Sequence, residues 1–265
     1  MLLIYTLAAT ITATLVSVWL AAMVSLGPLS KVVERLVSFS AGMLLGAALL
    51  HLLPESLHLG GEIHGISRTL LAGLVGFFVL ERMAIVRHDH HHEHDGHDHP
   101  HGHDAQSAGA GGWSLLIGSS IHALADGVLI AAAFHADITL GVLTALAIAT
   151  HEVPQQISNF LVLINSGFQK NKALFFNLLT GCGALIGALL GNFYLAQMAH
   201  WVPYVLVIAA ANFIYIALSD LIPQLHAQAH SHRHGGLKTA AWQQPMLMLA
   251  GIALAWASAA LLHAH

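Results

Sequence analysis

The sequence predicts an all-α integral membrane protein with eight transmembrane helices and both termini extracytoplasmic. Three observations carry that class. Of 265 residues, 56% are hydrophobic and only 8% are charged, where an ordinary soluble domain has about 25% charged residues. So few charges would not keep a globular surface wet. The apolar residues gather into eight runs near the length of about 20 residues that a bilayer-crossing helix needs. The basic residues, with one exception, fall on one side of the layout those runs define. A net charge of −4 leaves no basic footprint for nucleic acid, which is excluded as a partner; membrane lipid is the expected surroundings. The single cysteine, Cys182, excludes an internal disulfide and leaves the redox compartment open.

The first run, Leu3–Leu26, has no positive residue ahead of it, as a removable leader would need, and is kept as a span. Leu36–Leu53 and Thr69–Val86 follow. Trp113–Phe134 and Ile138–Ile164 are joined only by His135–Asp137, so spans 4 and 5 must lie antiparallel and touch. Ala173–Ala196, Val202–Ile222 and Pro245–Leu262 complete the set. Lys31, Arg35, Arg82, Arg87, Lys170, Lys172, Arg233 and Lys238 all fall in or beside the loops after spans 1, 3, 5 and 7, and only Arg68 falls on the other side. Lys and Arg mark the cytoplasmic face, so those loops face the cytoplasm.

Residues 1–265 read as one transmembrane domain interrupted by two cytoplasmic loops rich in histidine. The larger, 87–112, contains RHDHHHEHDGHDHPHGHD; the smaller, 223–244, contains HAQAHSHRHGG. Gly, Asp and Ser argue for disorder, and histidine tracts of this kind bind metal. His90, His91, His92, His94, His97, His99, His101 and His103 are the expected capture residues. Imidazoles and carboxylates on a loose chain can collect zinc-like ions but lack the fixed geometry that selects one. The loop is therefore expected to buffer or sense metal. The bland alternative is a solvated linker.

Polar residues inside the spans say more, because a charge at mid-bilayer costs about 2.5–3.5 kcal/mol on insertion scales and is a functional hypothesis by default. Span 4 holds HALADG (122–127) and span 5 holds HEVPQQ (151–156). His122 and Asp126 are four apart, one turn on one helical face; His151 and Gln155 repeat the spacing, with Glu152 beside them. Two touching antiparallel helices can aim these ligands at one point. Two imidazoles, a carboxylate and an amide oxygen suit zinc, with iron, manganese, cobalt and cadmium also compatible. Pro154 removes a helical hydrogen bond, and in a membrane the freed carbonyl must find a partner or line a wet cavity. A lone intramembrane histidine can simply be a satisfied hydrogen bond, but two matched pairs are harder to explain so. HLLPE (51–55) and SDLIPQ (219–224) each admit a plain reading as a helix end stopped by proline. The glycines of GALIGALLG (183–191) suit helix packing, and Cys182 beside them reads as core.

Taken together, these stretches resemble the ZIP family (Zrt- and Irt-like proteins) of divalent-metal transporters, in its bacterial type, over nearly the whole chain. HALADG resembles the family's H-N-x-x-D-G, and HEVPQQISNF its H-E-x-P-[HQ]-E-x-G-D-F. SAGMLLGAALLHLLPES (40–56) and NFIYIALSDLIPQ (212–224) resemble its second and seventh spans. The resemblance implies that His122, Asp126, His151 and Gln155 form a transport site. It implies that Glu152 and Asp126 contribute to a neighbouring second site, and that His51, Glu55, Ser219 and Asp220 line the route of the ion. It further implies Zn²⁺ as transported substrate (Fe²⁺, Mn²⁺ and Cd²⁺ also fitting), uptake into the cytoplasm, a multi-pass place in the inner (plasma) membrane, and a homodimer. It also implies that spans 1, 4, 5 and 6 move against spans 2, 3, 7 and 8. Ala123 and Gln156 replace the family's asparagine and glutamate, so the second site is expected to be weak or absent.

Two rival classes stand beside uptake. A membrane zinc hydrolase would need H-E-x-x-H with its glutamate as general base, and residue 155 is glutamine; no enzyme is expected. A metal exporter or sensor would carry similar loops, and composition does not give the direction of flux.

Overall fold

In a computed structural model, the described residues are 1–25, 30–89, 105–223 and 240–262, and they are helical throughout with no strand among them. The helices are α1 (Leu2–Ser25), α2 (Ser30–Ala47), α3 (Leu53–His58), α4 (Ile63–Asp89), α5 (Ala105–Ala136), α6 (Ile138–Asn165), α7 (Lys170–Gln197), α8 (Val202–Ile216) and α9 (Ala240–Leu262). The histidine tract expected to capture metal lies at 90–104 and most of the second histidine loop at 224–239, outside the described residues.

Among the described residues, six stretches are long and apolar enough to cross a membrane: Leu2–Met23, Arg35–His58, Ile63–Leu80, Leu116–Ala136, Lys170–Gln197 and Ala199–Ser219. They match expected spans 1, 2, 3, 4, 6 and 7. The other two expected spans correspond to α6 and α9, of 28 and 23 residues. At 1.5 Å per residue these are about 42 and about 35 Å long. Much of α6's hydropathy is offset by His151, Glu152, Gln155, Gln156 and Asn159. Trp19, Leu71, Phe78, Ile121, Phe193 and Trp256 stand exposed on the outside, the reverse of a water-soluble surface and proper to lipid.

The sequence reading misplaces the end of span 2. HLLPE is not a helix end: α2 runs through a π turn at Ala48–Leu52 straight into α3. A second π turn, Ala217–Leu221, continues α8 to Pro223. Each π turn comes just ahead of a proline, Pro54 or Pro223. The wider i to i+5 pairing shifts the hydrogen-bond register there, and at Pro54 the helix passes the proline without a break. The two π turns pack reciprocally, that of α2 against α8 and that of α8 against α2.

The helices pack in two groups. In one, α5 lies on α7 and α6, and α1 lies on α6 and α7; in the other, α2 lies on α9, and α4 and α3 lie on α8. They meet chiefly where α2 touches α6 and α5 touches α8. Glycine makes the tightest contacts. A Cβ on Gly127 would run into the Ala184 carbonyl, one on Gly183 into that of Ser120, and one on Gly187 into that of Leu124. The glycines of 183–191 therefore do serve helix packing. Cys182 does not: it is exposed, on a side of α7 turned away from that contact, which corrects its reading as core.

One residue links α5 to α6. Asp137 caps α6, its Oδ1 accepting from the Thr139 and Leu140 amides at 2.7 and 3.0 Å, the usual N-cap arrangement. At its far end α6 stops in a Schellman turn: Gly167 has φ +86°, and the Phe168 amide donates to the Leu163 carbonyl at 3.0 Å.

Candidate metal centre

The α5–α6 hairpin brings His122, Asp126 and His151 together. Among the described residues, these three offer donor atoms that all lie within 4.8 Å of one another. Asp126 Oδ2 is central, 3.4 Å from His122 Nε2 and 3.4 Å from His151 Nε2. The two imidazoles meet edge to face, centroids 5.7 Å apart at 88°. Asp126 and His151 are buried; His122 is partly exposed, but its Nε2, which faces Asp126, is buried too.

Those distances have a chemical meaning. In a tetrahedral zinc site with bonds of 2.0–2.1 Å, neighbouring donors stand about 3.3–3.4 Å apart. Two of the three edges already have that length. Both Asp126 oxygens, His122 Nε2 and His151 Nε2 are buried without a hydrogen-bond partner among the described residues. Buried polar atoms are normally paired, and here four orphans converge. The other nitrogen of His151, Nδ1, lies 3.3 Å from the Ala147 carbonyl. A proton there fixes the tautomer that leaves Nε2 free to bind, the usual outer arrangement of a metal-bound imidazole.

Glu152 is buried beside this cluster but looks elsewhere: Ser17 of α1 donates to its Oε2 at 2.6 Å. Gln155 is half-buried one turn beyond His151. Ala123 and Gln156 are buried, and the Gln156 Oε1 has no hydrogen-bond partner among the described residues. Of the expected path residues, His51 is buried on the α2 π turn with its Nε2 2.6 Å from the Ala255 carbonyl of α9. Glu55 lies 3.7 Å from His58, and Ser219 is half-buried on the α8 π turn. The side chain of Asp220 lies outside the described residues.

Sequence reasoning missed three neighbours. Ser17 holds Glu152; Ser40 of α2 donates to the Thr150 carbonyl at 2.6 Å; Phe213 of α8 packs on the His151 ring, centroids 6.2 Å apart. The only advance signal was for Ser40, since Pro154 required some donor to reach the carbonyl it frees.

A family model described as a ZIP zinc transporter matches residues 1–105 and 82–259. The chain belongs to the ZIP zinc transporter family. Among ZIP relatives, it is 29% identical over 223 residues to the zinc transporter YKE4 of Saccharomyces cerevisiae, covering 76% of this chain and 63% of that one. It is 29% identical over 235 residues to the zinc transporter ZIP13 of Pongo abelii, covering 83% and 64%. It is 35% identical over 125 residues to the human zinc transporter ZIP10, covering 46% and 15%. The chain thus spans less than two thirds of the length of each of these relatives. ZIP membership together with the long apolar helices makes this a multi-pass membrane protein.

Proposed function

We propose that this chain carries zinc, or a similar divalent transition-metal cation, across a membrane into the cytoplasm, with His122, Asp126 and His151 as the principal ligands. The observation that supports this most is the convergence of the buried donor atoms of His122, Asp126 and His151, with Asp126 Oδ2 at tetrahedral-edge distance, 3.4 Å, from each imidazole Nε2. The names of the three relatives given above, each a zinc transporter, supply the cargo. An ion entering the site exchanges water for two imidazoles and a carboxylate. Gln155 or a retained water completes four-coordination. Transport then requires the site to face each side in turn, and the division into two helix groups gives it two bodies to move.

The finer parts of the proposal are these. All eight helical segments cross the membrane, with both termini outside. Ala123 and Gln156 lack charge, and Glu152 is held by Ser17, so one ion binds firmly rather than two. His51, Glu55, Ser219 and Asp220 lie along the route. The chain forms a homodimer in the inner (plasma) membrane. The loop 87–112 collects incoming metal and lowers uptake when the cell is replete; deleting residues 88–103 should raise metal accumulation with the initial affinity unchanged, and equal accumulation would remove that role. No catalytic step is assigned.

The test is flux. Purified protein in liposomes, with zinc outside and a chelating dye inside, should give a dye signal that His151→Ala abolishes while the variant still purifies as a folded species. Normal flux in that variant would show the site to be wrong. Efflux alone, from loaded liposomes of known orientation, would reverse the direction.

A further inference from the structure

Pro154 has no backbone N–H, so the carbonyl four residues earlier, on Thr150, loses its helical donor. The Ser40 hydroxyl supplies the replacement at 2.6 Å. Ser40 is fully buried and stands on α2, in the other helix group. The residue after Thr150 is His151, whose ring packs on Phe213, with centroids 6.2 Å apart and planes at 61°. Phe213 is also fully buried and stands on α8, again in the other group. The second group therefore reaches His151 twice, through the backbone just before it and through its ring. Neither contact builds a group; each crosses the boundary between groups.

We propose that Ser40 and Phe213 are positioning residues that hold His151, and with it the donor triad, in the closed arrangement seen, and that passage of an ion requires both contacts to part. The proposal rests on the transport reading above. Its physical basis is the Thr150 carbonyl. In surroundings without water, an acceptor stripped of its donor is costly, so α2 cannot leave α6 until water reaches that oxygen. Water reaching Thr150 is also water reaching the neighbouring ion. Opening of the boundary and rehydration of the ion are thereby made one event, and the serine hydroxyl is its latch.

The experiment uses the full chain in liposomes with Cys182→Ser, to remove the exposed thiol, and Ala123→Cys, at a buried position beside His122. A water-soluble maleimide then reports how often the site opens. Ser40→Ala should raise the labelling rate about five- to tenfold, the worth of one hydrogen bond whose acceptor is left buried. Ser40→Thr, which keeps the hydroxyl, should restore the parent rate. Phe213→Leu should raise the rate in the same direction. Zinc affinity by equilibrium dialysis should stay within about twofold in all three. An unchanged labelling rate in Ser40→Ala, or a Ser40→Thr variant as fast as Ser40→Ala, overturns the latch. If Ser40→Ala does not yield monodisperse protein, Phe213→Leu decides by the same measurement. Protection of Ala123→Cys by zinc reports separately: its absence would remove the metal centre, while the labelling rates still decide the latch.

Discussion

Asp126 and Gly127 are neighbours on α5, yet they serve opposite kinds of contact. Toward α6, α5 presents His122 and Asp126, whose donor atoms have no hydrogen-bond partner among the described residues. Toward α7 it presents Gly127, set so close that a single Cβ would strike the Ala184 carbonyl, with Gly183 and Gly187 returning the same closeness. One face is chemically unsatisfied and the other sterically saturated. The second makes the first tolerable: a helix clamped along one side can hold a carboxylate at mid-depth without collapsing onto it. The site's strain is chemical, and its support is packing.

That contrast breaks most sharply at Asp126. Asp126→Asn keeps the shape and removes the charge. Loss of partners merely behind a metal ligand costs 10–100-fold, so zinc flux should fall by more than about 100-fold, with the melting temperature in detergent near the parent's. A variant that still transports would place the ion elsewhere. Gly187→Ala attacks the other face. Its Cβ meets the Leu124 carbonyl, and the expected loss is about 1–3 kcal/mol of stability, seen as a lower thermal midpoint with zinc affinity of the folded fraction unchanged. Equal loss of affinity would show that the two faces are not separable. Glu152→Gln keeps an acceptor for Ser17 and drops only the charge. Flux should change by less than about tenfold, well short of Asp126→Asn; parity between the two would make Glu152 a full ligand. Cys182→Ser, exposed on α7, should leave stability within about 0.5 kcal/mol and flux unaltered; a larger change would return it to the core.

The two faces were not equally legible in the sequence. HALADG and HEVPQQ could be read because their information is local: the i, i+4 spacing and the short turn at Asp137 together determine that His122, Asp126 and His151 share one place. GALIGALLG was readable as packing by its repeat of small residues. What could not be read lies far apart in the chain. Ser17 and Glu152 are 135 residues apart, and Ser40 and Thr150 are 110; a serine in an apolar run carries no mark of its partner. The π turns were invisible for a different reason. Proline announces a helix end, and HLLPE carries one at Pro54, but a widened turn just before it lets the helix continue to His58. Cys182 was misread because a small apolar residue between two packing glycines looks interior, while its own direction depends on the rotation of α7.

The one-residue link at Asp137 has a further consequence, and it concerns assembly. All three donors lie between residues 122 and 151, within a single helical hairpin whose contacts are among the most local in the molecule. Local contacts form early because little chain entropy is lost in closing them. The hairpin can enter the membrane as a unit, its carboxylate already flanked by two imidazoles and never alone against lipid. Synthesis of α7 then adds the glycine clamp to a centre whose donors have already met.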